Sequence, residues 1–126
     1  MNVLVDTSVW AEHFRHRNTT LTKLLLSDRV LTHPMVVAEL ACGTPPSPRT
    51  QTLSDIGLLE PANQASIAEV RILIEQEKLY GLGCGLVDIA LLASTLITQG
   101  AVLWTFDKRL KRLAERFDIH YTELKQ

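Results

Sequence analysis

Val3-Leu4-Val5 opens a series of apolar runs, each two to four residues long, that alternate with longer segments of helical pattern. Strands this short, kept apart by helices, cannot close as hairpins and are joined side by side through crossovers into a parallel sheet. The strand candidates are Val3-Leu4-Val5, Val30-Leu31, Gly57-Leu58-Leu59-Glu60, Ala101-Val102-Leu103-Trp104 and an edge strand Ile119-His120-Tyr121. Between them, helices are expected from the cap Asp6-Thr7-Ser8 to about Phe14, and from Asn18 over Leu21, Leu24 and Leu25. Further helices are expected from His33-Pro34 to Cys42, over 51–56, over the amphipathic stretch 65–79, over 87–98 and over 107–116. The prediction is an α/β fold with a mainly parallel sheet, in which ligands collect beyond the carboxyl ends of the strands.

A chain of 126 residues makes one domain, 1–126, large enough to bury a core without staples. With 46% hydrophobic and 21% charged residues it has the balance of a folded protein rather than a disordered one. Thirteen basic against fourteen acidic residues leave a formal net charge of -1, so a polyanion would have to be held by a local basic patch. Cys42 and Cys84 are far apart and form no CxxC, and the opening residues lack the basic and apolar regions of a signal peptide. No apolar run is long enough to cross a bilayer, and a cytoplasmic protein with reduced thiols is expected.

Four of the acidic residues stand where acids are costly. Asp6 directly follows the first strand, and Asp107 follows Trp104 with only Thr105 and Phe106 between. Glu39 is the only charged residue from Pro34 to Cys42, and Asp88 the only one from Leu86 to Ile97. A carboxylate on a helix that is otherwise apolar is expected near the core, where burial without a partner is expensive. Asp6, Asp88 and Asp107 could each serve simply as helix caps. Glu39 lies beyond the first turn of its helix. As a set, the four point to convergence. Two unit negative charges about 4 Å apart repel by roughly 4 kcal/mol at an effective dielectric near 20. A hard divalent cation with oxygen ligands, Mg²⁺ or Mn²⁺, would neutralise such a cluster. No calcium-loop spacing is present, and zinc would have only the accidental pair His33 and Cys42.

From end to end the chain resembles PIN-domain nucleases, in particular the VapC-type toxins of bacterial type II toxin–antitoxin systems. The resemblance rests on Val3-Leu4-Val5-Asp6-Thr7-Ser8-Val9-Trp10, on Thr32-His33-Pro34 through Glu39-Leu40-Ala41-Cys42-Gly43, on Val87-Asp88 with Leu91-Leu92-Ala93-Ser94, and on Leu103-Trp104-Thr105-Phe106-Asp107-Lys108-Arg109-Leu110. Asp6, Glu39, Asp88 and Asp107 fall on the family's four acidic positions. The resemblance implies a Rossmann-like three-layer sandwich with a five-stranded parallel sheet. It also implies Mg²⁺- or Mn²⁺-dependent endonucleolytic cleavage of RNA, a VapB-type antitoxin that wraps the toxin and blocks its site, and a homodimer.

On this reading Asp6, Glu39 and Asp88 hold the principal metal, and Asp107 completes the site or holds a second ion. Ser8 and Thr105 are assigned to orienting the carboxylates or metal-bound water, with capping as the alternative. Among the basic residues, Arg15, Lys108 and Arg109 stand nearest the acids and are the candidates for phosphate contacts. Trp10 and Trp104, in apolar context, are expected in the core. The competing reading is the same fold kept as an RNA-binding or scaffold module without turnover. A receiver domain would want adjacent acids after the first strand, and a haloacid-dehalogenase-like phosphatase would want Asp-x-Asp, where position 8 is serine.

Overall fold

The computed structural model describes residues 1–123. Its first strand, β1 (Asn2–Val5), is the middle of the sheet, with Val3, Leu4 and Val5 wholly inaccessible to solvent. Successive strand residues point to opposite faces, so a run with no exposed member is covered on both sides. Helix α1 (Thr7–Arg15) follows at once, then α2 (Thr19–Leu26), whose amino end is capped by Asn18 Oδ1 accepting from the Leu21 amide. Strand β2 (Val30–Thr32) leads to α3 (Pro34–Ala41), with proline at the one helical position where its missing amide costs nothing.

Helix α4 (Arg49–Gly57) runs one residue into the segment expected as a strand, and the Leu58 amide closes its last turn. The strand is therefore shorter and later than the sequence suggests: β3 is Glu60–Pro61. Both residues are exposed, and a proline, which cannot donate to a ladder, belongs on an edge. Helix α5 (Ile67–Glu77) starts with a full capping box between Ser66 and Glu69. Helix α6 (Leu86–Leu96) is buried continuously from Ile89 to Thr95, as a helix apolar on all sides must be. Strand β4 (Ala101–Trp104) and the amphipathic α7 (Lys108–Arg116) complete the order.

All pairings are parallel, and the strand order is β3-β2-β1-β4. Among the described residues the sheet has four strands, not five. Ile119-His120-Tyr121 makes only one bridge, in which the Leu103 amide donates to Ile119 and its carbonyl accepts from Tyr121. The next outward-facing amide of β4, that of Ala101, already donates to Thr98, so the pairing cannot lengthen in that direction. Trp10 and Trp104 lie in the core as expected. Among the described residues no helix is long and apolar enough to cross a membrane.

The order of strands places the site. From β1 the chain moves outward through β2 to β3, then returns to the other side of β1 with β4. The crevice between the carboxyl ends of β1 and β4 is the topological switch point, where open α/β sheets bind ligands.

Candidate active site

Asp6 and Asp107 leave β1 and β4 at that crevice. Asp6 is almost fully buried, at 4% exposure. It occupies the cap position of α1, yet its side chain makes no capping bond. Instead its Oδ2 accepts two hydroxyls, Ser8 Oγ at 2.7 Å and Thr105 Oγ1 at 2.7 Å. Each hydroxyl in turn accepts a backbone amide, Ser8 from Phe106 at 3.0 Å and Thr105 from Asp107 at 3.0 Å. The buried carboxylate is thus oriented by two hydroxyls that are themselves fixed by the loop carrying Asp107. Ser8 and Thr105 therefore touch the acid they were assigned to orient.

Asp107 is a true cap of α7, with Oδ1 accepting from the Leu110 amide at 2.9 Å, and its residue is exposed. A capping role and a place at the site coexist here, since among the described residues only Oδ1 of the carboxylate is bonded.

Glu39 corrects an expectation. It is exposed, not near the core. Helix α3 buries Val36 and Leu40, and Glu39 lies off that face toward α1, where its Oε1 accepts the Thr7 hydroxyl at 2.8 Å. Thr7 is adjacent to Asp6, so Glu39 is drawn to the same crevice. The sequence does not show this role of Thr7, because a bond spanning 32 positions leaves no local signature.

Asp88 is the third residue of α6 and half-buried. Its carboxyl is pushed up to about 6, first by burial and then by the negative charges of Asp6, Asp107 and Glu39. Asp6, Asp107 and Glu39 are therefore each close enough to Asp88 to act on its charge. Cys84, in the glycine-rich loop before α6, is raised by burial and by Asp88 and Asp107, which puts its thiol beside the cluster.

The donor set is all oxygen, the chemistry of a hard divalent cation. Among the described residues no three Asp, Glu, His or Cys side chains close into a metal cage. Mg²⁺ does not demand one, since it usually keeps several waters and takes one or two carboxylates directly. Asp6, Glu39, Asp88 and Asp107 are the residues that would hold such an ion. The zinc pair does not form. His33 is buried with Nδ1 accepting from Met35, so its proton is on Nε2, which donates to Ser94 on α6 at 3.0 Å, and Cys42 is free and exposed.

The three candidate cations differ. Arg109 Nη1 donates to the Gly83 carbonyl at 3.3 Å and lies over that loop. Lys108 is exposed at the first turn of α7. Arg15 is exposed in the last turn of α1 and, among the described residues, has no hydrogen-bond or ion-pair partner; the single ion pair there is Arg116 with Glu77.

A parallel sheet with acids gathered at its switch point defines a class, and comparison with known proteins gives it a name. Residues 3–116 match the PIN domain family, and the chain belongs to it. It is 42% identical over 109 residues to Ribonuclease VapC32 of Mycobacterium tuberculosis (strain CDC 1551 / Oshkosh), covering 86% of this chain and 87% of that protein. The same figures hold for Ribonuclease VapC32 of strain ATCC 25618 / H37Rv. A structure of VapBC-1 from nontypeable Haemophilus influenzae superposes with a TM-score of 0.69 over 98% of both chains at 13% identity, a likeness of fold.

Proposed function

We propose that this protein is a VapC-type toxin, an endoribonuclease that hydrolyses RNA with Mg²⁺ or Mn²⁺ to leave 5′-phosphate and 3′-hydroxyl ends. The carrying observation is geometric: Asp6 and Asp107 leave β1 and β4 at the switch point of the sheet, Glu39 is tied to Thr7 beside Asp6, and Asp88 feels the charge of all three. The 42% identity to Ribonuclease VapC32 over most of both chains supports the same reading.

Asp6, Glu39 and Asp88 are the residues that would hold the cation, with Asp107 beside them. When bound, such an ion supplies charge neutralisation at the scissile phosphate and a water acidic enough to attack in line. Ser8 and Thr105 orient Asp6, and Thr7 orients Glu39, so that the carboxylates face the crevice before substrate arrives. No group is required to activate the ribose 2′-hydroxyl, which is why linear ends are expected. The partners in this reading are RNA, a VapB-type antitoxin covering the crevice, and a second copy of the chain, in the cytoplasm. The homology to VapC32 and the fold shared with a VapBC structure support the antitoxin. Exposed Ile72, Leu96 and Ile97 on α5 and at the end of α6 support self-association.

Incubating RNA with the purified chain in EDTA, Mg²⁺ or Mn²⁺ and mapping the ends tests the proposal, with Asp6→Asn as control. Cleavage only with metal, leaving 5′-phosphate ends, is expected. Products with 2′,3′-cyclic phosphates would sink it. Equal degradation by Asp6→Asn would mean a contaminant, and would favour the reading as a module without turnover.

A further inference from the structure

One cleft runs out of the acid cluster. It has a volume of about 450 Å³ and begins at Thr7 and Glu39, the pair that adjoins Asp6. That volume falls in the range of roughly 300–1,000 Å³ usual for small-ligand sites. Its floor and walls are apolar, made by Ala11 and Phe14 of α1, Leu40 of α3 and the following Pro45. Phe14 is only partly buried, packed on one side against Trp10. At the rim is Arg15, without a partner among the described residues. Most other arginines are already engaged: Arg29, Arg49, Arg109 and Arg116 each donate to a backbone carbonyl.

An apolar slot with one aromatic wall and one free guanidinium, starting where a phosphodiester would lie, matches a nucleotide. The base has a stacking face and the next phosphate a charge for Arg15. We infer that this cleft holds an unstacked nucleobase of single-stranded RNA, the nucleotide next to the scissile phosphate, with Phe14 against the base and Arg15 on the adjoining phosphate. A base must leave its stack to enter the cleft, and one flanking position would then be read through the cleft's shape. The inference rests on the ribonuclease reading of the acids and adds to it a binding place for one base and a residue, Phe14, with no acid–base role.

The test uses a pool of randomised single-stranded RNA 20-mers and the same pool annealed to its complement. In cleavage with Mn²⁺, Phe14→Leu is expected to raise KM about tenfold, the scale of losing one base–aromatic stack, with kcat within about twofold. It should also flatten the base preference at one position beside the cut, as read by sequencing the ends. Arg15→Gln, an exposed change that cannot unfold the chain through the core, should raise KM without altering that preference, and Arg15→Lys should recover part of the loss. Duplex RNA should be cut at least about tenfold more slowly. Binding of the labelled pool to Asp6→Asn protein in EDTA gives a readout that needs no turnover, and adding Phe14→Leu should weaken it by a similar factor.

Failure of the wild-type protein to cut, with binding still dependent on Phe14, would remove the hydrolytic reading and leave the cleft assignment standing. Unchanged KM, base preference and binding in both variants would overturn the assignment. Variants that bind and cut the pool normally but escape the cognate antitoxin would likewise overturn it, in favour of a cleft for a peptide.

Discussion

The hydroxyl of Thr105 and the carboxylate of Asp6, 99 positions apart in the chain, meet at 2.7 Å inside the protein. The same hydroxyl oxygen accepts the Asp107 amide at 3.0 Å, so it stands between a buried charge and the backbone of the opposite strand end. Thr105→Val keeps the shape and removes both bonds. It is expected to cost about 1–3 kcal/mol in denaturant unfolding, because a buried carboxylate and an amide each lose a partner. Cleavage should fall about tenfold or more, the scale on which groups that orient a metal ligand act. Thr105→Ser should restore most of both, and a Val variant with wild-type activity would show that Ser8 alone suffices.

Removal of the cation should abolish cleavage reversibly. Chelation with EDTA is expected to stop product formation, and excess Mg²⁺ or Mn²⁺ to restore it. Asp6→Asn should lower activity by more than about a hundredfold, beyond the loss typical of changes outside the coordination sphere. Calorimetric titration with Mn²⁺ should show weakened binding in Asp6→Asn. Unweakened binding would place the metal elsewhere.

Asp88 governs a pH effect. Its carboxyl is raised from 3.8 to about 6 by burial and by three neighbouring carboxylates. A carboxyl raised on folding holds its proton more tightly in the native chain than in the unfolded one. Its contribution therefore favours the fold at low pH and is lost as the pH climbs from about 4 through 6. In EDTA, Asp88→Asn should remove that slope and raise Tm at pH 7 by roughly 2–6 °C while cutting activity. An unchanged or lower Tm would mean that the carboxylates do not repel one another as placed.

Gly83 lies at φ +84°, and a Cβ built there would come within 2.8 Å of Arg109 Nη1. Gly83→Ala should cost about 1–2 kcal/mol through the left-handed backbone alone, and would displace the guanidinium from the Gly83 carbonyl. Arg109→Gln removes that bond without the backbone strain. A smaller loss of thermal stability in Arg109→Gln than in Gly83→Ala is expected, and the reverse order would show the contact to matter more than the turn.

The sequence makes some of this plain and hides the rest for physical reasons. Asp6 and Asp107 were readable because both follow short apolar strands, and a strand end is a local property. Asp88 stood out as the one charge on an all-apolar helix. The same argument singles out Glu39 but not its depth, since apolar residues around a carboxylate do not reveal which side of the helix a neighbour covers. The Thr7–Glu39 bond and the wall made by Phe14 and Pro45 depend on how α1 meets α3. Strands of two residues, or one bridged pair, fall below any periodic signal. Gly57-Leu58-Leu59-Glu60 therefore looked like a strand while the chain was still finishing a helix, and Ile119-His120-Tyr121 looked like a fifth strand while only His120 bridges.

Because β1 pairs with β4, Asp6 gains its second hydroxyl only when a segment 99 positions further along has folded against it. A polypeptide ending before Thr105 contains three of the acids and lacks one of the two hydroxyls that set the first of them. Any fragment that stops short of β4 is thereby left with an incomplete crevice, however many of the acids it carries.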